Sequence, residues 1–146
     1  MGVLDPTRTI YGDFGEVWMD GKWLTNFNHA EASVEVGKEE IRRSGTRWTG
    51  HKVTSLTGTG TISGYKVTTD LVEAISQVAK DRGKPFVTEL VLKLDDPDSY
   101  GAYRVRLKGV QFDTIPLMNF QAGSIVEEEL PFTFSGFEFL DVIHEQ

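Results

Sequence analysis

Phe27-Asn28-His29-Ala30-Glu31-Ala32-Ser33-Val34-Glu35-Val36 alternates without a break. Ala30, Ala32, Val34 and Val36 take one phase and His29, Glu31, Ser33 and Glu35 the other, the period of a β-strand whose successive side chains leave opposite faces. One face is made for a core and the other for water. Upstream, Glu16-Val17-Trp18-Met19 and Lys22-Trp23-Leu24-Thr25 flank Asp20-Gly21, and these two residue types tolerate the φ > 0 positions of a two-residue hairpin turn. That register sets Trp18 opposite Trp23, where an aromatic pair contributes roughly 0.2–1 kcal/mol.

Downstream the alternation stops. From Gly37 to Gly50, Lys38, Glu39, Glu40, Arg42, Arg43 and Arg47 crowd around Gly45 and a lone Trp48, which predicts a long charged loop over 37–50. Strand patterning resumes from His51 to Ser63 and runs on through Tyr65-Lys66-Val67-Thr68. A single helical pattern follows. Asp70 and Glu73 have the spacing of a capping box, Leu71, Val72, Ile75, Val78 and Ala79 form an apolar stripe, and Gly83 and Pro85 mark a stop, predicting a helix near 70–82.

Phe86 to Leu94 is in strand phase, and Asp95-Asp96-Pro97-Asp98 turns the chain into Tyr103-Arg104-Val105-Arg106-Leu107-Lys108. There the odd-numbered apolar phase gives way to Val110 and Phe112, so a β-bulge is expected at Gly109. Phe132 and Phe134 slip against Phe137 and Phe139 across Ser135-Gly136 in the same way, the mark of a bent final strand that serves two sheets or curves around a barrel. The expected fold is mostly β, a sandwich or barrel with one flanking α-helix. A length of 146 residues makes residues 1–146 one domain, large enough to bury about 68–70% of its unfolded surface.

Composition excludes whole classes of function. No run approaches roughly 18 apolar residues, so no bilayer-spanning helix and no membrane partner are expected. The N-terminus lacks a basic start followed by an apolar stretch, so the chain is expected to be made, and to stay, in a cytosol. With no cysteine there is no disulfide, thiolate metal site or thiol nucleophile. Twenty-two Asp and Glu against fifteen Lys and Arg give −7, the wrong sign for gripping a phosphate backbone.

His29, His51 and His144 stand at no metal-ligand spacing, and no Gly-x-Ser-x-Gly elbow is present. Gly58-Thr59-Gly60-Thr61-Ile62-Ser63-Gly64-Tyr65-Lys66 fails as a phosphate loop because it lies inside a Thr-rich strand, and Asp95 to Asp98 lacks the spaced ligands of a calcium loop. No catalytic residue, metal site or cofactor is expected. Glu127-Glu128-Glu129 reads either as a solvated acidic turn guarding an aromatic strand or as an acidic surface for a partner's arginines. The charged segment 37–50 reads either as a mobile loop or as a self-association arm, since Arg and Trp are enriched at interfaces. An alternative function is a β-sandwich binding module presenting Trp18, Trp23 and Trp48 to a carbohydrate or peptide.

Several of these stretches, taken in order, carry a family resemblance: Gly15-Glu16-Val17-Trp18-Met19-Asp20-Gly21-Lys22-Trp23-Leu24, the charged segment ending in Thr46-Arg47-Trp48, Gly58-Thr59-Gly60-Thr61, and Lys93-Leu94-Asp95-Asp96-Pro97-Asp98. Lys108-Gly109-Val110-Gln111-Phe112-Asp113 and Glu127 to Phe134 with Phe137 to Ile143 complete the set. Together they resemble the tail tube (core tail) protein of contractile-tailed phages, the PBSX-like defective prophage type above all, from Gly12 to Ile143. The resemblance implies a fold similar to type VI secretion tubes, no enzyme activity and no cofactor. It implies hexameric rings stacked into a hollow tube inside a contractile sheath, with the chain itself, sheath and baseplate proteins as partners. The place implied is a virion tail, after synthesis in the bacterial host cytoplasm. Lys38, Glu39, Glu40, Arg42, Arg43, Arg47 and Trp48 would then reach a neighbouring subunit, and Glu127, Glu128 and Glu129 would receive arginines from the next copy. His29, Glu31, Ser33 and Glu35 would line the lumen, since their strand has a long polar face and no helix to cover it. DNA would be cargo, and an acidic wall would let it pass without holding it.

Overall fold

The computed structural model describes residues 3–145. Eight strands form: β1 (Gly15–Met19), β2 (Lys22–Trp23), β3 (Phe27–Ile41), β4 (Gly50–Tyr65), β5 (Thr88–Leu94), β6 (Tyr103–Phe112), β7 (Glu127–Phe134) and β8 (Gly136–Asp141). Every pairing is antiparallel, in the order β2-β1-β5-β6-β7-β4-β3, with β8 also on β6. Short helical pieces complete a mostly β fold. The Asp20-Gly21 turn has φ 50° and 80°, and it sets Trp18 against Trp23 with rings stacked at 6.1 Å, as the turn chemistry predicts.

The sheet bends into two layers where the phase slips. Gly109 has φ 65°, and the four residues from Leu107 to Val110 oppose only the three from Thr88 to Leu90, so the extra residue lies on β6 at the expected bulge. Before it, Arg104 to Lys108 pair with β8; after it, Gln111 and Phe112 pair with β7. Ser135 breaks β7 from β8 at the same level, its N–H donating to the Lys108 carbonyl at 2.9 Å. The final strand does serve two sheets.

Between the layers lies one core. Val17, Phe27, Ile62, Leu90, Leu107, Val110, Leu130, Phe132 and Phe134 meet there with Ile75 from the helix. Room for the phenylalanines is made by Gly58 and Gly60 on β4, whose absent side chains leave the space that the Phe134 and Phe132 rings occupy.

Two expectations are corrected. The loop over 37–50 is shorter than expected: β3 runs on to Ile41 and β4 begins at Gly50, with Glu39 opposite Lys52 and Glu40 opposite His51. Only residues 42–49 connect them. Both faces of this ribbon are in water, so neither needs an apolar phase and the periodicity that marks a strand is lost. The helix over 70–82 is shorter, α1 (Asp70–Ile75) followed by a 3-10 turn Ser76–Ala79. Thr69, not Asp70, occupies the N-cap position, its hydroxyl 3.2 Å from the Glu73 carboxylate. Local side-chain bonds end the helix early: Ser76 Oγ donates to the Glu73 carbonyl at 2.7 Å and Gln77 Nε2 to the Lys84 carbonyl at 3.2 Å. Gly83 closes a turn onto the Lys80 carbonyl instead of capping a helix.

Candidate channel wall and subunit contacts

Register assigns each strand residue to a face. On the β3, β4 and β7 layer, Ile62, Leu130, Phe132 and Phe134 point to the core, which turns the other phase outward. Cross-strand pairs there are His29 with Ser63, Glu31 with Thr61, Ser33 with Thr59 and Glu35 with Thr57, continued on β7 by Thr133 and Glu129. The expected wall residues His29, Glu31, Ser33 and Glu35 therefore share one exposed face. The face also carries Thr57, Thr59, Thr61 and Thr133, which the alternation of β3 alone does not reveal. Their signal was the Thr-x-Thr phase between glycines on β4. No Lys or Arg occupies any of these positions. A shallow depression of about 370 Å³ lies in this face between Glu31, Ser33, Thr59, Thr61 and Asp113.

The outward face of the β1, β5, β6 and β8 layer is chemically different. Here cations and carboxylates neutralise each other: Arg104 pairs with Asp141, Lys108 with Glu138 at 2.9 Å and Arg106 with Glu89 at 3.7 Å. Trp18 and Trp23 lie at its edge, with Trp18 Nε1 donating to Glu16 at 3.0 Å.

The third surface is an arm. β7 stops accompanying β4 at Gly58, so from Glu35 and Thr57 outward β3 and β4 form a two-stranded ribbon. It carries Lys38, Glu39 and Glu40, and its tip carries Arg42, Arg43, Arg47 and Trp48. Among the described residues none of these charges is in an ion pair. Trp48 is 80% exposed, and its carbonyl accepts from Arg43 Nη2 at 3.4 Å. It stands on a different element from the Trp18–Trp23 stack, so the three indoles make no common platform.

Of the three glutamates at the start of β7, Glu127 and Glu129 are exposed and Glu128 is buried. The solvated-turn reading is corrected at Glu128, because it shares the inward phase of Leu130, Phe132 and Phe134. Its nearest cation is Lys66 Nζ of the same chain, at 3.8 Å. Among the described residues no three of His, Asp and Glu gather as a metal set, and no helix is long and apolar enough to cross a membrane.

Residues 2–141 match the family described as phage tail tube protein. The chain belongs to that family. The phage-like element PBSX protein XkdM of Bacillus subtilis (strain 168) is 36% identical over 137 residues, 93% of each chain. The uncharacterized protein YqbM of the same strain is 39% identical over 138 residues, again 93% of each. A solved chain from the sheath-tube complex of the PVC extracellular contractile injection system, in the extended state, has the same fold: TM-score 0.72 over 92% of this chain and 93% of that one, at 12% identity. Tail tube proteins are structural components of phage-like particles, and this one is not an enzyme.

Proposed function

We propose that this tail tube protein assembles into hexameric rings that stack into the inner tube of a contractile tail and that DNA passes through the tube as cargo. The outward face where β3, β4 and β7 lie side by side, free of Lys and Arg, carries this reading. A wall that neutralised phosphates would release counterions and hold the polyanion, whereas hydroxyls and carboxylates offer it no such gain. His29, Glu31, Ser33 and Glu35 line the lumen together with the threonines of β4. The charge-paired face of β5, β6 and β8 then turns outward to the sheath, and the ends of the tube meet baseplate proteins. Lys38, Glu39, Glu40, Arg42, Arg43, Arg47 and Trp48 reach the neighbouring subunit, where Glu127 and Glu129 are the accessible acids. The chain is made in the host cytoplasm and ends in the virion tail.

Negative-stain electron microscopy of the purified chain at rising concentration, alone and with its sheath protein, tests the reading. Rings or tubes with an open lumen are expected. Monomers under every condition would refute it.

A further inference from the structure

An apolar groove of about 650 Å³ opens between the two layers. The β3 wall is Ala32 and Val34, and the opposite wall is Leu92, Val105, Phe137 and Phe139. Phe137 and Phe139 share the inward phase of Leu107 and Val105, yet they are 47% and 55% exposed because no layer covers them. Core-facing aromatics left this open lack a partner.

A matching surface exists on the same chain. The inward phase of β3 and β4 does not end with the body: it continues onto the arm as Val36 and its cross-strand partner Leu56, 44% and 67% exposed. A bulge at Thr54 then shifts the phase, since Gly37 faces Ser55 while Lys38 faces Val53. That shift brings Val53, 55% exposed, onto the face of Val36 and Leu56. Without it Val53 would join the polar side. A two-stranded ribbon is marginal by itself in water, and this one adds an uncovered apolar stripe, with Lys38 beside Val53 at its outer end.

We propose that the Val36-Val53-Leu56 stripe of one copy seats in the groove walled by Val105, Phe137 and Phe139 of the next. This rests on the tube reading and names the receiving site that the arm needs. Charge favours a second copy as the occupant. Residues 38–52 hold five cations and two carboxylates, a net +3, which leaves −10 on the rest of a chain whose total is −7. An arm is thus attracted to the body of another copy. It cannot serve its own groove, because Val36 of the stripe and Ala32 and Val34 of the groove wall follow one another on one continuous strand, β3, with Val53 and Leu56 paired alongside. The contact is heterologous, stripe to groove, and repeats of such a contact close into a ring or run on as a filament.

The absence of cysteine makes a direct test available. Leu56→Cys and Phe139→Cys variants, each with a single thiol, are mixed over a concentration series, oxidised and resolved on non-reducing gels. Thr57→Cys, one residue away on the opposite face, replaces Leu56→Cys in the control. The Leu56–Phe139 mixture should give about tenfold more heterodimer than the control, because docking converts encounter between thiols into a local event. Yields equal to the control at every concentration overturn the proposal. Tubes in the microscope without this cross-link would overturn the groove as the receiving site and leave the tube reading standing. The cross-link without tubes would do the reverse.

Discussion

Gly60 is the position where one added carbon would be felt most sharply. A Cβ there would meet the Glu31 carbonyl and the edge of the Phe132 ring, and neither can retreat without moving a strand or the middle of the core. Gly60→Val should cost about 1–3 kcal/mol, the range for overpacking a filled interior, and urea denaturation of the dispersed subunit should show the lower midpoint. Glu128 poses the opposite problem. Its carboxylate is buried, one oxygen has no hydrogen-bond donor, and Lys66 is the compensating charge at 3.8 Å. Lys66→Met should lower stability by up to ~3 kcal/mol, and adding Glu128→Leu should recover most of the loss in the same denaturation experiment, because a buried charge without a partner costs more than an apolar pair. The glycine was readable from sequence, since Gly inside a Thr-rich strand already suggests close packing. Glu128 was not, because three consecutive glutamates read as solvated. Only its phase with Leu130, Phe132 and Phe134 sets it apart from Glu127 and Glu129.

Elements announced themselves where one face is buried. The hairpin at Asp20-Gly21, the bulge at Gly109 and the break at Ser135 were all legible, because a shift of one residue moves an apolar side chain to the wrong face and leaves a mark. Beyond Val36 the arm has no buried face to mark, so Gly37 to Ile41 of β3 carries no strand period and reads as loop. Helix α1 was read too long, because the apolar stripe extends past Ile75 while the side-chain bonds of Ser76 and Gln77 do not register in periodicity. Trypsin should report the arm's state. Cleavage after Arg42, Arg43 or Arg47 should come first in the dispersed subunit and be suppressed in assembled tubes, with mass spectrometry locating the cuts. On β8, the hydrogen bond from Lys108 holds the Glu138 carboxyl below its ordinary value of 4.5, helped by the Lys108 charge and, less, by Arg106 against a small desolvation cost. A carboxyl lowered in the folded state stabilises fully above its ordinary value, and that contribution fades as pH falls through the lowered one. Lys108→Met should raise the midpoint toward the ordinary value, visible in an NMR titration of the Glu138 side chain.

At the scale of the molecule, two outward faces with different chemistry are carried by one folded sheet. Sequence reading found part of the polar face, on β3, but assembling it required knowing that β4 and β7 lie beside that strand, which no local pattern states. If this face is the wall, Glu31→Lys with Glu35→Lys should make assembled tubes retain duplex DNA at low salt and release it as salt rises, measured by co-sedimentation. Unchanged sedimentation would remove both residues from the lumen. The neighbouring bends at Gly109 and Ser135 bear on how such a tube carries load. β6 passes from one layer into the other, and so does the run from β7 to β8, with the Ser135 N–H bonded to the Lys108 carbonyl at the crossing. The two layers are thus stitched by covalent backbone at two adjacent points as well as by packing between side chains. A thrust applied to the outer layer passes to the inner one along the chain itself, so sliding one layer over the other would require breaking the ladder hydrogen bonds at both crossings, and the subunit should yield at its contacts with neighbours before it shears internally.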